Sequence, residues 1–274
     1  MQSRRATIFV LAVFVSSGCS TSTANDLLIT STTPVAVTTS PIDTTAPATT
    51  TIVDTTPAVD TVPDADTSQT SVPKGDSSST NSFAASDVLA QLEVKREVGD
   101  GYDRDVFRHW IDDDGDGCDA RQEVLIRDSR SAPQIDPYRC KVVAGTWYSP
   151  YDGATWEDPS DVDIDHVVAL KEAWDSGAWG WSSERRRAFA NDLSDSRSLM
   201  AVTDSVNQSK GDRDPSQWMP SQRGYRCTYI SIWLGVKARW SLAVDPSEEG
   251  MIRVLLEEEC RGLRVAKWAP APIT

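Results

Sequence analysis

Apolar positions are patterned only in the last two-thirds of the chain. Ala84, Val88, Leu89, Leu92 and Val94, then Tyr102, Val106 and Trp110, recur at three- and four-residue intervals and predict helical faces over 84–98 and 102–111. A short apolar segment, Val124-Leu125-Ile126, follows. Val142 to Tyr148 reads as a strand running into a turn at Pro150–Gly153. Val162 to Leu170 is a second apolar stretch, interrupted only by Asp163, Asp165 and His166. Ser182 or Ser183 caps a helix to Leu193, with Glu184 in the first turn where it complements the dipole. Ser198–Val202 is a short strand, and Tyr225–Val244 and Pro246–Leu263 read as two helices. The fold class is α+β, with strands in the middle of the domain and helices around them.

Before Phe83 the pattern vanishes. Residues 20–82 hold 18 Thr, 10 Ser and 6 Pro and no aromatic residue, whereas all ten Trp lie after residue 109. Such a segment cannot bury enough apolar surface to offset its ordering entropy, so 20–83 is expected to be a disordered stalk. As a flexible chain its r.m.s. span is ~45 Å. Ser71-Val72-Pro73-Lys74 matches an acylating-serine pattern but lies in this tract and is set aside. At the start, Arg4 and Arg5 precede ten mostly apolar residues and Ser16-Ser17-Gly18-Cys19, the layout of a secretory signal peptide over 1–19. A small residue before Cys19 resembles a lipobox, although Ser16 stands where an aliphatic residue is usual. The expectation is an exported protein, tethered by lipid on Cys19 or cleaved and released, with 84–274 as one folded domain and a monomer. Membrane contact is expected only through that anchor.

Net charge, −14 from 27 Lys+Arg and 41 Asp+Glu, argues against binding nucleic acid by a broad basic surface. Two histidines cannot build a three-histidine zinc site. Cys118, Cys140, Cys227 and Cys260 in an exported domain suggest two disulfides, with nearest-neighbour pairing the expectation among three connectivities.

The stretch richest in chemistry is Val162-Asp163-Ile164-Asp165-His166-Val167-Val168-Ala169-Leu170. An isolated Asp-His pair is more often an edge-strand feature than a site. This pair is followed by a short strand and then Asn207-Gln208-Ser209-Lys210-Gly211-Asp212-Arg213-Asp214-Pro215. Together with Ala173-Trp174, Gly177-Ala178, Phe189-Ala190-Asn191-Asp192 and the upstream Gly117-Cys118-Asp119 with Arg121, they resemble the HNH domain at the C-terminus of GmrSD-type restriction endonucleases. Secreted actinobacterial proteins carry this domain behind a signal peptide. The resemblance covers roughly 100–263 and implies a ββα-metal (HNH, His-Me finger) core embedded in helices.

Hydrolysing a phosphodiester needs an activated water, charge neutralisation and stabilisation of the departing oxygen. The resemblance implies His166 as general base and Asp165 and Asn207 as ligands of Mg²⁺ or Mn²⁺, a metal choice their oxygen donors suit. Lys210 contacts the scissile phosphate or is a solvated helix-end lysine. Arg187 belongs to a substrate face within 162–240, where 11 basic and 10 acidic residues give a locally balanced charge. The partner is nucleic acid, DNA before RNA. Strand alternation places Asp165 and His166 on opposite faces, so the strand must end or twist there. Ser198 occupies the middle HNH position, where Asn is usual; Asn191 is a weaker substitute, and His109 reads as structural.

Asp112, Asp114 and Asp116, with Gly117 and Glu123, also match the twelve-residue EF-hand spacing and predict a structural Ca²⁺ loop. The rival function is therefore a non-catalytic, calcium-stabilised surface-binding module with a degenerate HNH core. Intact Asp165, His166 and Asn207 favour the enzyme.

Overall fold

The structure is a computed structural model that describes residues 81–272. The signal peptide, Cys19 and all but the last residues of the expected stalk lie outside the described residues. Seven α-helices and eight short strands alternate among them, an α+β arrangement as the apolar pattern predicts.

The two ends of the folded unit pair with each other. Strand β1 (Ser82–Ala84) runs antiparallel to β8 (Arg264–Ala266), with Phe83 opposite Val265. This strand begins inside the stretch assigned to the stalk, because its partner lies at the far end of the sequence. Helix α1 (Ala85–Gln91) follows and buries Ala85, Val88 and Leu89. It stops well short of residue 98: a parallel bridge between Val94 and Val244 draws the chain into an extended path instead.

Residues 102–111 do not form the predicted helix. Only a 3-10 turn, Arg104–Phe107, is present, and Arg108 and Trp110 take positive φ values of 36° and 59°. The competing force is visible. Asn191 donates its amide to Arg108 O (2.9 Å) and accepts from Ile111 N–H (3.0 Å), engaging backbone groups that a helix would need. Phe107 anchors the segment, fully buried against Phe189, Trp174 and Tyr102.

Val124-Leu125-Ile126 belongs to helix α2 (Ala120–Asp128), capped by the Asp119 carboxylate accepting from Gln122 N–H at 2.9 Å. Strands β2 (Gln134–Asp136) and β3 (Lys141–Ala144) pair antiparallel, as do β4 (Trp147–Tyr148) and β5 (Thr155–Trp156). The expected strand over 142–148 is thus split between two small sheets.

At the centre, β6 (Val162–His166) pairs antiparallel with β7 (Leu199–Thr203), placing Asp165 opposite Met200 and His166 opposite Leu199. Helix α3 (Leu170–Asp175) and helix α4 (Ser183–Ala190) fill the connection, and Ser182 caps α4 as expected. Helix α5 (Asp204–Lys210) follows β7 directly and ends at Gly211, whose φ of 55° with ψ of −130° is a region reserved for glycine. Helices α6 (Arg226–Trp240) and α7 (Pro246–Glu258) close the domain. α7 starts with a full capping box, Asp245 and Glu248 each bonding the other's backbone N–H.

The main core surrounds Trp233, Trp240, Tyr229 and Phe189; a smaller one beneath the β6–β7 pair holds Val124, Leu125 and Trp147. Two disulfides, Cys118–Cys140 and Cys227–Cys260, follow the nearest-neighbour pairing and fit an oxidising compartment.

Candidate active site

Strand alternation holds to the end of β6, so Asp165 and His166 point to opposite sides. They line one cavity because the strand stops there. The cavity, about 170 Å³, is bounded by Arg104, Asp165, His166, Asn207, Gln208 and Asp212 among others. Asp165, His166 and Asn207 are therefore brought together by β6 and the last turns of α5.

His166 is nearly buried, with its ring 5.5 Å from that of Trp110 and stacked at 6.4 Å on Phe189. Its Nε2 lies 2.9 Å from Ala190 O. A carbonyl can only accept, so Nε2 carries the proton and Nδ1 keeps a lone pair. Nδ1 is absent from the buried polar atoms left without a partner, so it reaches solvent on the cavity side. Burial pushes the ring down to about 3, with the charge of Arg104 adding in the same direction. The imidazole is neutral at any ordinary pH.

Asp165 is buried. Its Oδ1 accepts from Lys210 Nζ (2.7 Å) and its Oδ2 from the Tyr151 hydroxyl (2.6 Å). Burial pushes the carboxyl up, and Lys210 then Tyr151 oppose that rise. Lys210 also donates to His166 O at 3.0 Å. Asn207 donates from Nδ2 to Asp163 Oδ2 at 3.3 Å.

The two residues expected at the substrate are otherwise engaged. Lys210 has no exposed surface, and its ammonium faces inward to Asp165. Arg187 pairs with Asp113. Its neighbours are also spent: Arg185 donates to Trp240 O and stacks on Trp181, and Arg186 donates to Trp181 O. Ser198, at the middle position, donates to Asp192 rather than to the cavity. Asn191 holds the 108–111 segment, and the carbonyl just before it receives His166.

Asp165 and Asn207 fit a hard divalent cation. Each carboxylate oxygen has a second lone pair beyond the bond it accepts, the Asn amide supplies another oxygen, and Mg²⁺ typically takes one or two protein ligands plus water and phosphate. In the acidic loop, Asp112, Asp114 and Asp116 gather ligand oxygens within 4.8 Å, and Asp116 is equally close to Glu123. Those aspartates already accept from the loop's own N–H groups, Asp112 from Gly115 and Gly117, and Asp116 from Cys118. Burial and Asp116 push the Glu123 carboxyl up.

Three groups at the cavity escape sequence reading. Tyr151 follows a turn and carries no local signal, the Ala190 carbonyl is backbone, and Arg104 sits alone in an acidic stretch.

Comparison with known proteins agrees with the geometry. The family profile described as GmrSD restriction endonucleases, C-terminal domain, matches residues 119–253. A protein of Arthroderma benhamiae (strain ATCC MYA-4681 / CBS 112371), described as an uncharacterized secreted protein, is 47% identical over 173 residues, covering 63% of this chain and 83% of that one. No solved structure matches. From its β6–β7–α5 centre to its ordered series of motifs, this chain belongs to the family of GmrSD restriction endonuclease C-terminal domains.

Proposed function

We propose that the protein is an exported, metal-dependent endonuclease of HNH type that hydrolyses phosphodiester bonds, with DNA as the first substrate to test. One observation carries the reading: the Nε2–H of His166 is fixed on Ala190 O, leaving Nδ1 as an acceptor on a cavity that also holds Asp165 and Asn207. A general base needs an open lone pair in a defined direction, and this tautomer provides one.

His166 Nδ1 takes a proton from the attacking water as its oxygen bonds to phosphorus and the bond to the leaving oxygen breaks. The leaving oxygen ends protonated from solvent. The low basicity of the free ring places its part in orienting the water and receiving the proton late in the transition state; a bound phosphate, being anionic, raises the ring's proton affinity as the reaction proceeds. Asp165 and Asn207 would hold Mg²⁺ or Mn²⁺, which supplies Lewis-acid stabilisation of the phosphate and leaving oxygen. Lys210 and Tyr151 position Asp165 from behind. β6, β7 and α5 together form the ββα unit of this reading. Calcium at Asp112, Asp114, Asp116 and Glu123 belongs to it as a structural element away from the chemistry. The secreted relative and the two disulfides support action outside the cytoplasm.

The test is nicking of supercoiled plasmid by the purified protein in Mg²⁺, Mn²⁺, Ca²⁺ or EDTA, beside His166→Ala and the better-filling His166→Gln. Metal-dependent nicking that falls by roughly 10²–10⁴-fold in both variants, with thermal melting retained, is the expected result. Equal inactivity of wild type and variants on DNA and RNA with every metal would replace the enzyme by a surface-binding module.

A further inference from the structure

The cavity beside His166 has an electrostatic problem that its own ββα elements do not solve. Two carboxylates, Asp165 and Asp212, line it, and a nucleic-acid substrate brings a phosphate anion. Lys210 cannot meet that anion, because it is buried and bonded to Asp165 and His166 O. Arg187 is paired with Asp113.

One permanently charged cation remains among the described residues lining the cavity: Arg104. Its side chain is exposed, and it forms no salt bridge among the described residues, unlike Arg187, Arg197 and Arg239, which hold Asp113, Asp195 and Asp192. It is close enough to act on the His166 ring through its charge. Its backbone is held still. The 3-10 turn that carries it is pinned by buried Phe107 against Phe189 of α4, and Asn191 at the end of α4 bonds the backbone at Arg108 and Ile111. The Ala190 carbonyl that orients His166 is the adjacent peptide. Arg104 and the imidazole are thus referenced to one rigid frame, although Arg104 lies outside residues 119–253, which match the family profile.

We propose that Arg104 is the substrate-phosphate ligand of this cavity, supplied by the segment preceding the family-matched region. A guanidinium presents paired donors that match two phosphate oxygens, and it stays charged at every working pH. The proposal rests on the nuclease reading for its substrate, but its test separates the two.

The full chain would be compared as wild type, Arg104→Ala, Arg104→Lys and His166→Ala. The first measurement is plasmid nicking across a salt series; the second is binding of a short duplex oligonucleotide by His166→Ala and by His166→Ala/Arg104→Ala. Arg104→Ala is expected to melt like wild type, to lose roughly 10- to 100-fold in kcat/KM, and to weaken oligonucleotide binding by a similar factor. Its slope of log affinity against log salt should become shallower by about 0.9, one phosphate contact. Arg104→Lys should recover part of the loss, since it restores the charge without the fork. Cleavage and binding unchanged by Arg104→Ala, while His166→Ala is dead, would overturn the proposal and leave the nuclease standing. An inert wild type whose oligonucleotide binding still depends on Arg104 would do the reverse. Absence of both cleavage and Arg104-dependent binding would overturn both.

Discussion

Two lysines of this protein have no exposed surface, and their surroundings differ in a way that separates scaffold from site. Lys237, on α6, reaches Glu172 (2.6 Å), Glu248 (2.8 Å), Ser176 Oγ (2.8 Å) and Ala243 O (2.8 Å). Glu248 in turn caps α7 and accepts from Trp233 Nε1 at 2.5 Å. One cation there closes a ring of acceptors that joins α3, α6 and α7. Lys210 meets a single carboxylate, Asp165, and a single carbonyl, and Asp165 faces the cavity. The same buried ion-pair chemistry closes on itself in one place and is left one-sided in the other. An ion pair without water contributes little net stability, but removing one partner is expensive when the other cannot be resolvated.

The sharpest way to break this contrast is to delete each ammonium. Lys237→Met should cost about 3–5 kcal/mol, because two carboxylates are left in a dry core, lowering Tm by roughly 8–20 °C without changing cleavage per folded molecule. Lys210→Met should cost about 1–3 kcal/mol, because Asp165 retains the Tyr151 hydroxyl and gains cavity water, yet nicking should fall at least tenfold. Thermal melts and plasmid assays on the two variants check this. Equal stability losses would erase the distinction.

A smaller effect sharpens it through pH. Burial pushes the Glu248 carboxyl up to about 7, with Lys237 opposing. Folded Glu248 therefore holds a proton that the unfolded chain has released at its ordinary value of 4.5. The stability it contributes is complete below about 4.5 and is lost as pH rises towards 7; Glu97, pushed up to about 7 chiefly by burial, has the same sign. His166 has the opposite sign. Its ring falls from 6.5 to about 3 on folding, so the unfolded chain binds the extra proton between those values. Its contribution is complete above 6.5 and is lost as pH falls towards 3. Denaturant titrations across pH should show Glu248→Gln flattening the neutral limb and His166→Gln the acid limb, each by on the order of 1–3 kcal/mol. Unchanged slopes would mean that water reaches both groups.

The smallest effect expected is that of Tyr151→Phe, which removes one bond to Asp165 and should cost about 1–2 kcal/mol by chemical denaturation. A larger loss would make Asp165 as dependent on its partners as Glu248.

Much of the site was legible because its residues follow one another along a strand and the helix after its partner strand: Asp165, His166 and Asn207 meet as the motif order predicts. The groups that tune them were not. Tyr151 reaches Asp165 from across a turn, and the Ala190 carbonyl receives His166 from the end of another helix, neither marked by composition or spacing. Lys210 was misjudged because a lysine at a helix end is ordinarily solvated; here the closely packed strand end captures it. The 102–111 segment was read as helix from its apolar spacing, and a side-chain amide 80 residues away overrode that tendency. Val124-Leu125-Ile126 was too short for periodicity to identify, and the Asp119 cap decides it.

The pairing of β1 with β8 has a mechanical consequence. The chain enters at Ser82 and leaves at Ala266, which are partners at the same end of the two-stranded sheet. Tension applied between the two ends pulls along the inter-strand hydrogen bonds and loads them one after another, from Ser82–Ala266 to Ala84–Arg264, as a zipper opens. The domain is thus built to peel at its seam under low force while α1 and α6 still hold, a yielding joint in series with whatever is fastened to either end.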